Sequence, residues 1–338
     1  KQKTAYEIGT GDWSSDVCSS DLHIKSGVTT QKIMLSVIIA LLPALVASVW
    51  IFGLRALIMT VICCTSCVIF EWACRKIMKR NNTISDLSAV VTGMLLAFNL
   101  PVTLPFYMAI IGCFVAIVIV KQFFGGIGQN FANPAITGRI VLMLSFTSYM
   151  TTWAEPFYYR NAGEIVTTST PLVSETPASL ADLFFGTTGG CIGETCALAL
   201  LIGGIFLVAV RVISPVTPLC FIGTVFVLSI FSTGSLEGAL ASVLSGGLLL
   251  GAIFMATDYA TTPITTKGRI IFGIGCGLLT VFIRYFGGYP EGVSYAILIM
   301  NACVWLLDKV KPPRFGLTKE MKEKQKAAKK AAKEASAS

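Results

Sequence analysis

Four hydroxyl side chains stand in a row, Thr167, Thr168, Ser169 and Thr170, within the stretch EIVTTSTPL from Glu164 to Leu172. Such a run offers oxygens that could be modified. The same residues also describe an exposed, extended connector, since β-branched residues and the position before a proline favour extended backbone. Two acids invite a second chemistry. Asp86 and Asp258 open apolar stretches, and Asp258 is flanked by Thr257, Thr261 and Thr262, oxygen-rich company of the kind a sodium ion takes. A helix cap or an inter-helix hydrogen bond fits either acid equally well. Cysteines and glycines complete the candidates. The cysteines lie mostly inside apolar segments and read first as packing residues; Cys63, Cys64 and Cys67, and the pair Cys191 and Cys196, offer a cluster ligand set or a disulfide as the alternative. GGIGQN, Gly125 to Asn130, lacks the Lys-Ser/Thr ending of a phosphate loop and reads as close backbone packing.

The elements that must position these residues belong to a membrane. A soluble domain carries about 25% charged residues; this chain has 13% charged and 54% hydrophobic. Its formal charge of +8 falls in short clusters between apolar runs and in the tail, without aromatic interleaving, which argues against nucleic acid as a partner. The one C-x2-C, Cys64 to Cys67, stands inside an apolar run with no second C-x2-C or His pair to complete a zinc site, and the chain has one histidine.

A helix needs about 20 apolar residues to cross the hydrocarbon. Ten candidates follow, approximately 33–52, 56–72, 87–100, 104–120, 134–146, 197–213, 218–231, 239–256, 270–286 and 293–307. The segments 87–100 and 134–146 are short and polar-edged, as half-helices or re-entrant segments would be. Positive charge tests the count, because Lys and Arg gather in cytoplasmic loops. With the N-terminus inside, the even junctions hold Arg75, Lys76, Lys79 and Arg80, then Lys121, Arg211, Lys267 with Arg269, and Lys309, Lys311 and Arg314; the odd ones hold Arg55, Arg160 and Arg284. Both termini are then cytoplasmic, and the 147–190 connection, with Thr170, is extracytoplasmic. Of the intramembrane charges, Arg139 reads as snorkelling or paired with a neighbouring helix, and Glu71 and Glu194 as interfacial.

Two stretches echo each other, TGMLLAFNLPVTLP (Thr92 to Pro105) and LGAIFMATDYATTP (Leu250 to Pro263). Five crossings per half place them in opposite directions, so an all-α membrane protein of ten helices in two inverted five-helix repeats, with broken helices, is expected. The organisation is 23–146 first repeat, 147–190 outer loop, 191–308 second repeat and 309–338 a Lys/Ala-rich cytoplasmic tail. Residues 1–22 are set apart: Asp12 to Leu22, back-translated with ordinary codons, resembles a common sequencing-library adapter read in frame, so Cys18 is left out of the reasoning.

Several stretches in order resemble one family. EIVTTSTPL resembles the flavin-transfer motif of the D subunit of the Rnf ion-translocating electron-transport complex, a family shared with the B subunit of the sodium-translocating NADH:quinone reductase. Also similar are KIMLSVIIALLPAL (Lys32 to Leu45), KQFFGGIGQNFANPA (Lys121 to Ala135), MATDYATTP (Met255 to Pro263) and YPEGVSYAILIMNA (Tyr289 to Ala302), and His23-Ile24 resembles the start of the family's N-terminal segment. The resemblance implies FMN joined through its phosphate to the Thr170 side-chain oxygen by a separate flavin transferase outside the cytoplasm. It also implies a noncovalent riboflavin in the membrane portion, and electron relay between ferredoxin and NAD coupled to Na+ or H+ transport with the other membrane and peripheral subunits of the complex. Glu164 stands where the family favours Asp, and Ser169, where Ala is common, offers a competing hydroxyl. The rival readings are the quinone-reductase B subunit, and a urea- or ammonium-type permease with Asp258 lining its path and Thr170 unmodified.

Overall fold

The structure is a computed structural model that describes residues 29–80, 83–160, 167–168, 179–287 and 291–309. It is predominantly helical, and each of the ten apolar segments is built on helix. The first half runs α1 (Thr30–Phe52), α2 (Leu54–Ile77), α3 (Ser88–Phe98), α4 (Phe106–Gln122) and α5 (Pro134–Ser145). The second runs α6 (Ala197–Ala209), α7 (Val216–Thr233), α8 (Leu236–Leu244), α9 (Leu248–Met255), α10 (Thr266–Phe286) and α11 (Val293–Leu307). By length and composition α1, α2, α7 and α10 can each cross a membrane, and α8 with α9 forms a bent pair, broken by 63°. The remaining five apolar helices are shorter.

Helix starts follow local chemistry. Thr29 accepts from the Lys32 amide at 3.3 Å, Ser235 from Gly238 at 3.1 Å and Thr265 from Gly268 at 3.1 Å, each supplying an acceptor to an otherwise unpaired donor. Asn133 accepts from Ala135 and Ile136 at 3.0 and 3.4 Å, with Pro134 at the first helical position, where its missing N–H costs nothing. The break between α8 and α9 uses Gly246 and Gly247, both in the left-handed region. Arg284 of α10 stabilises it, donating to the carbonyls of Ser242, Ser245 and Gly246 at 2.6, 3.0 and 3.3 Å. Those carbonyls end α8, where a cation is favoured.

Burial separates two kinds of helix. α1 exposes Leu35, Ile39, Leu42, Val46 and Trp50, one apolar stripe at helical spacing. α3 and α9 are apolar all round and are packed inside protein, as half-helices must be if their free backbone ends are to avoid lipid. Around them α1 packs on α6, α5 on α11, α7 on α10, and α2 on α3 and α4.

The face where α1 ends also carries the 147–190 connection; it is called the loop face below. Phe157 N–H donates to Ile51 O at 2.8 Å there, and a short antiparallel pair, β1 (Trp153–Ala154) and β2 (Thr167–Thr168), sets Trp153 opposite Thr168. The segment Gly186 to Cys196 folds inward: Ile192 donates to Leu100 O at 3.0 Å and Gly193 to Phe98 O at 2.9 Å, meeting the end of α3. A Cβ on Gly193 would lie 2.2 Å from Phe98 Cγ. Gly193→Ala should therefore lower stability by about 1–3 kcal/mol, read as a lower melting temperature of the detergent-purified protein. Gly223→Ala on α7 meets open space and should melt no earlier than the unaltered protein, since alanine is the better helix former.

Candidate functional site

Three polar regions interrupt this apolar body. The first lies on the loop face, where Arg160 stacks over Phe157 at 4.6 Å, Trp50 at 5.7 Å and Tyr159 at 5.8 Å, and Tyr159 Oη donates to Trp50 O at 2.8 Å. The Glu164–Leu172 motif enters the described residues only at β2. Thr170, Ser169 and Glu164 lie outside them; Thr170 follows Thr168, the residue paired with Trp153, by two positions.

The second region is a cavity of about 600 Å³ on the opposite face. Apolar side chains of α1, α3 and α6 line most of it, among them Val37, Val91 and Leu207, while Lys121, Asn130, Asn133, Thr257 and Asp258 supply polar groups. Asp258 is half-buried, and its Oδ2 accepts from Thr261 Oγ1 at 3.3 Å. The expected oxygen cage is only partly formed: Thr262 Oγ1 donates to the Asp258 carbonyl at 2.7 Å and Thr257 Oγ1 to Ile253 O at 2.6 Å, both as helix-type bonds to the preceding turn. Asp86 closes the single turn Ile84–Asp86, half-buried, and is not part of the cavity wall. The structure does not bring the two acids together there.

The third region is buried charge. Lys121, expected at a loop junction, is 2% exposed. Its Nζ donates to Glu71 Oε2 at 2.9 Å and to Ser88 Oγ, at the start of α3, at 2.7 Å. Glu71 is itself fully buried, correcting the interfacial reading, and its other oxygen accepts from Gln122 Nε2 at 3.0 Å and Thr83 Oγ1 at 3.1 Å. The π-helical end of α4, Val115–Gln122, turns both Lys121 and Gln122 inward. In the Gly125–Gly128 loop beyond, close packing holds at Gly126, where a Cβ would stand 2.6 Å from Arg75 Nη2, and not at Gly128, which is exposed with nothing within 4 Å of a Cβ.

Arg139 meets its expected partner on another helix segment. It is ion-paired with Glu291, just ahead of α11, and donates to Ser294 Oγ at 2.9 Å and to Asn99 Oδ1, at the end of α3, at 3.0 Å. Its second terminal nitrogen also approaches Cys191 Sγ at 3.7 Å. Asn99 reaches Met255 Sδ at 3.6 Å, so the carbonyl ends of α3 and α9 meet here. Glu194, also expected at an interface, is buried and accepts from the Cys191 amide at 3.0 Å. Cys191, Cys196, Cys63, Cys64 and Cys67 are all free thiols.

Comparison with known proteins matches residues 17–316 to the NQR2, RnfD, RnfE family. The chain belongs to that family. Among relatives of this NQR2, RnfD, RnfE chain, the D subunit of the Na(+)-translocating ferredoxin:NAD(+) oxidoreductase complex of Acetobacterium woodii is 47% identical, over 90% of this chain and 96% of the relative. The D subunit of the proton-translocating ferredoxin:NAD(+) oxidoreductase complex of Clostridium ljungdahlii is 42% identical, over 88% and 95%. The D subunit of the ion-translocating oxidoreductase complex of Stutzerimonas stutzeri is 37% identical, over 86% and 92%. The matched region includes Asp86, Thr170 and Asp258, together with the Arg139–Glu291 pair and the Glu71–Lys121 pair, the second of which the sequence did not announce.

Proposed function

We propose that this chain is the membrane-embedded subunit of a redox-driven ion translocase, carrying FMN covalently on Thr170 and relaying electrons between ferredoxin and NAD with the other subunits of the complex. The observation that carries the reading is the coincidence of family membership with the EIVTTSTPL motif, set in the connection that is rooted through β2 against Trp153. A flavin supplies one- and two-electron chemistry, and the chain's part is to hold and orient it. Thr170 supplies the ester oxygen, a flavin transferase forms the bond, and Arg160 with its aromatic neighbours forms a rigid base at the root of the connection.

The protein is multi-pass, in the inner membrane. Ten crossings in two inverted halves account for the contacts of α1 with α6 and of α5 with α11, since helices in equivalent positions meet across a two-fold axis. Interfacial anchors support the orientation: Lys76 over Trp72 and Lys309 over Trp305, at 4.9 and 4.2 Å, sit opposite the Arg160 cluster. Both termini are then cytoplasmic and the Thr170 connection extracytoplasmic. The cavity suits a noncovalent riboflavin in size and in its mainly apolar wall; Lys121, Asn130 and Asn133 would hold its polar edge. One experiment tests both flavins. Acid extraction of the purified complex should release riboflavin, while a mass spectrum of the peptide containing Thr170 keeps an added FMN mass; an unmodified peptide from cells possessing the transferase would favour the permease.

The transported ion is Na+ or H+, and the relatives named above carry one name of each kind. Asp258, on the cavity wall, is the residue proposed for its path, with Asp86 second. Asp258→Asn should lower ion transport by the complex in vesicles by about 10-fold or more, as expected for an essential charge buried in the membrane. Unchanged coupling would retire Asp258.

A further inference from the structure

We infer that Cys191, Glu194 and Glu291 form a binding site for one divalent transition-metal ion of the Zn2+ or Fe2+ class, lying between α3, α5 and the start of α9. The Cys191 sulfur and one oxygen from each carboxylate lie within 4.8 Å of one another, and all three residues are buried. Their remaining bonds point to a ligand. Glu194 Oε1 is held by the Cys191 amide and Glu291 Oε2 by Arg139, whereas Glu194 Oε2 and Glu291 Oε1, both without solvent contact, have no hydrogen-bond partner among the described residues. Each carboxylate thus has one oxygen fixed by a protein donor and one left over, the pattern of a monodentate ligand oriented from its far side. An unpaired buried carboxylate oxygen is otherwise costly.

Donor type selects the ion. Sulfur with two carboxylate oxygens suits a borderline-soft cation and is a poor match for Mg2+ or Ca2+, which prefer oxygen alone. Three protein ligands leave a fourth tetrahedral position open, as in sites that also bind an exogenous group. Charge closes as well: a thiolate and two carboxylates around a divalent ion leave one negative charge, which Arg139 offsets, the Cys191 thiol releasing its proton as the metal enters. Arg284, held by the carbonyls that end α8, also lies close enough to Glu194 to interact with its charge and adds to the positive field around the carboxylates. A small cleft lined by Thr188, Gly190 and Ser245 borders Glu194.

The test is a cobalt titration of the whole complex in detergent after chelator treatment, with elemental analysis before it. Unaltered protein should take up one equivalent of Co2+ with a thiolate-to-cobalt band in the near ultraviolet, and release about one proton per ion at a pH where the thiol is protonated. Cys191→Ser should abolish the band, and Glu194→Gln should weaken binding by about 100-fold or more, the upper end of what losing a mere outer-shell partner does. Covalent flavin fluorescence reports assembly of each variant independently. Unaltered complex that shows neither the band nor a bound metal equivalent overturns the inference, whatever the variants do, and so does an unchanged band in Cys191→Ser.

Discussion

Thr170→Val should leave the polypeptide dark. Separated on a denaturing gel under ultraviolet light, the unaltered chain made alongside its flavin transferase should fluoresce, because a phosphoester survives denaturation where a noncovalent flavin does not. Valine matches threonine in shape and lacks only the oxygen that forms the ester, so the loss should be complete. Thr170→Ser should retain part of the signal. The competing hydroxyl gives the experiment its edge: if Ser169 is the acceptor, Thr170→Val stays fluorescent and Ser169→Ala goes dark. A protein stain of the same band reports how much polypeptide was made, so fluorescence is scored per chain. Ferredoxin:NAD activity of the complex should fall at least 10-fold, because loss of one fixed carrier lengthens the transfer step. A chain that stays fluorescent in both variants rules out the attachment.

What could be read in advance was whatever the chain writes locally. All ten apolar segments are helical where expected, and the two stretches sharing the Gly-to-Pro pattern, 92–105 and 250–263, overlap α3 and α9, whose ends meet at Asn99 and Met255. The hydroxyl run was visible for the same reason, as four neighbours in sequence. Partners far apart in the chain were not. Glu71 and Lys121 lie 50 residues apart and Arg139 and Glu291 152 apart, so no window of sequence contains both members. Glu71, Lys121 and Glu291 stand near the ends of apolar runs, and hydropathy alone assigns such residues to the interface, where solvation is least costly. The π-helical end of α4 rotates Lys121 away from that interface and toward Ser88. Around Asp258 the same local view stops short: two of the three neighbouring threonines donate their hydroxyls to backbone carbonyls, a helical arrangement that sequence spacing alone does not reveal.

The pairing of Arg139 with Glu291 joins α5 to the segment ahead of α11, and through Asn99 it also fixes the end of α3. Arg139→Met should therefore be among the most damaging single changes in the membrane body. Methionine fills much of the volume but leaves Glu291 buried beside a lost cation and strips Asn99 Oδ1 and Ser294 Oγ of a donor. Breaking a buried pair from one side costs about 3–5 kcal/mol, most of it the uncompensated charge. Replacing both members removes that charge, so Arg139→Met with Glu291→Leu should recover most of the loss, and the cycle should return a coupling of about 2 kcal/mol or more. The measurement is a thermal melt of chelator-treated protein, so that no metal substitutes for the missing guanidinium, with the monodisperse fraction after detergent extraction as a second readout. If the charge is what matters, the single variant is the least stable of the four. If instead Arg139 acts through its hydrogen bonds to Asn99 and Ser294, the double variant melts as low as the single one, and the join between the two halves rests on α3 rather than on the ion pair.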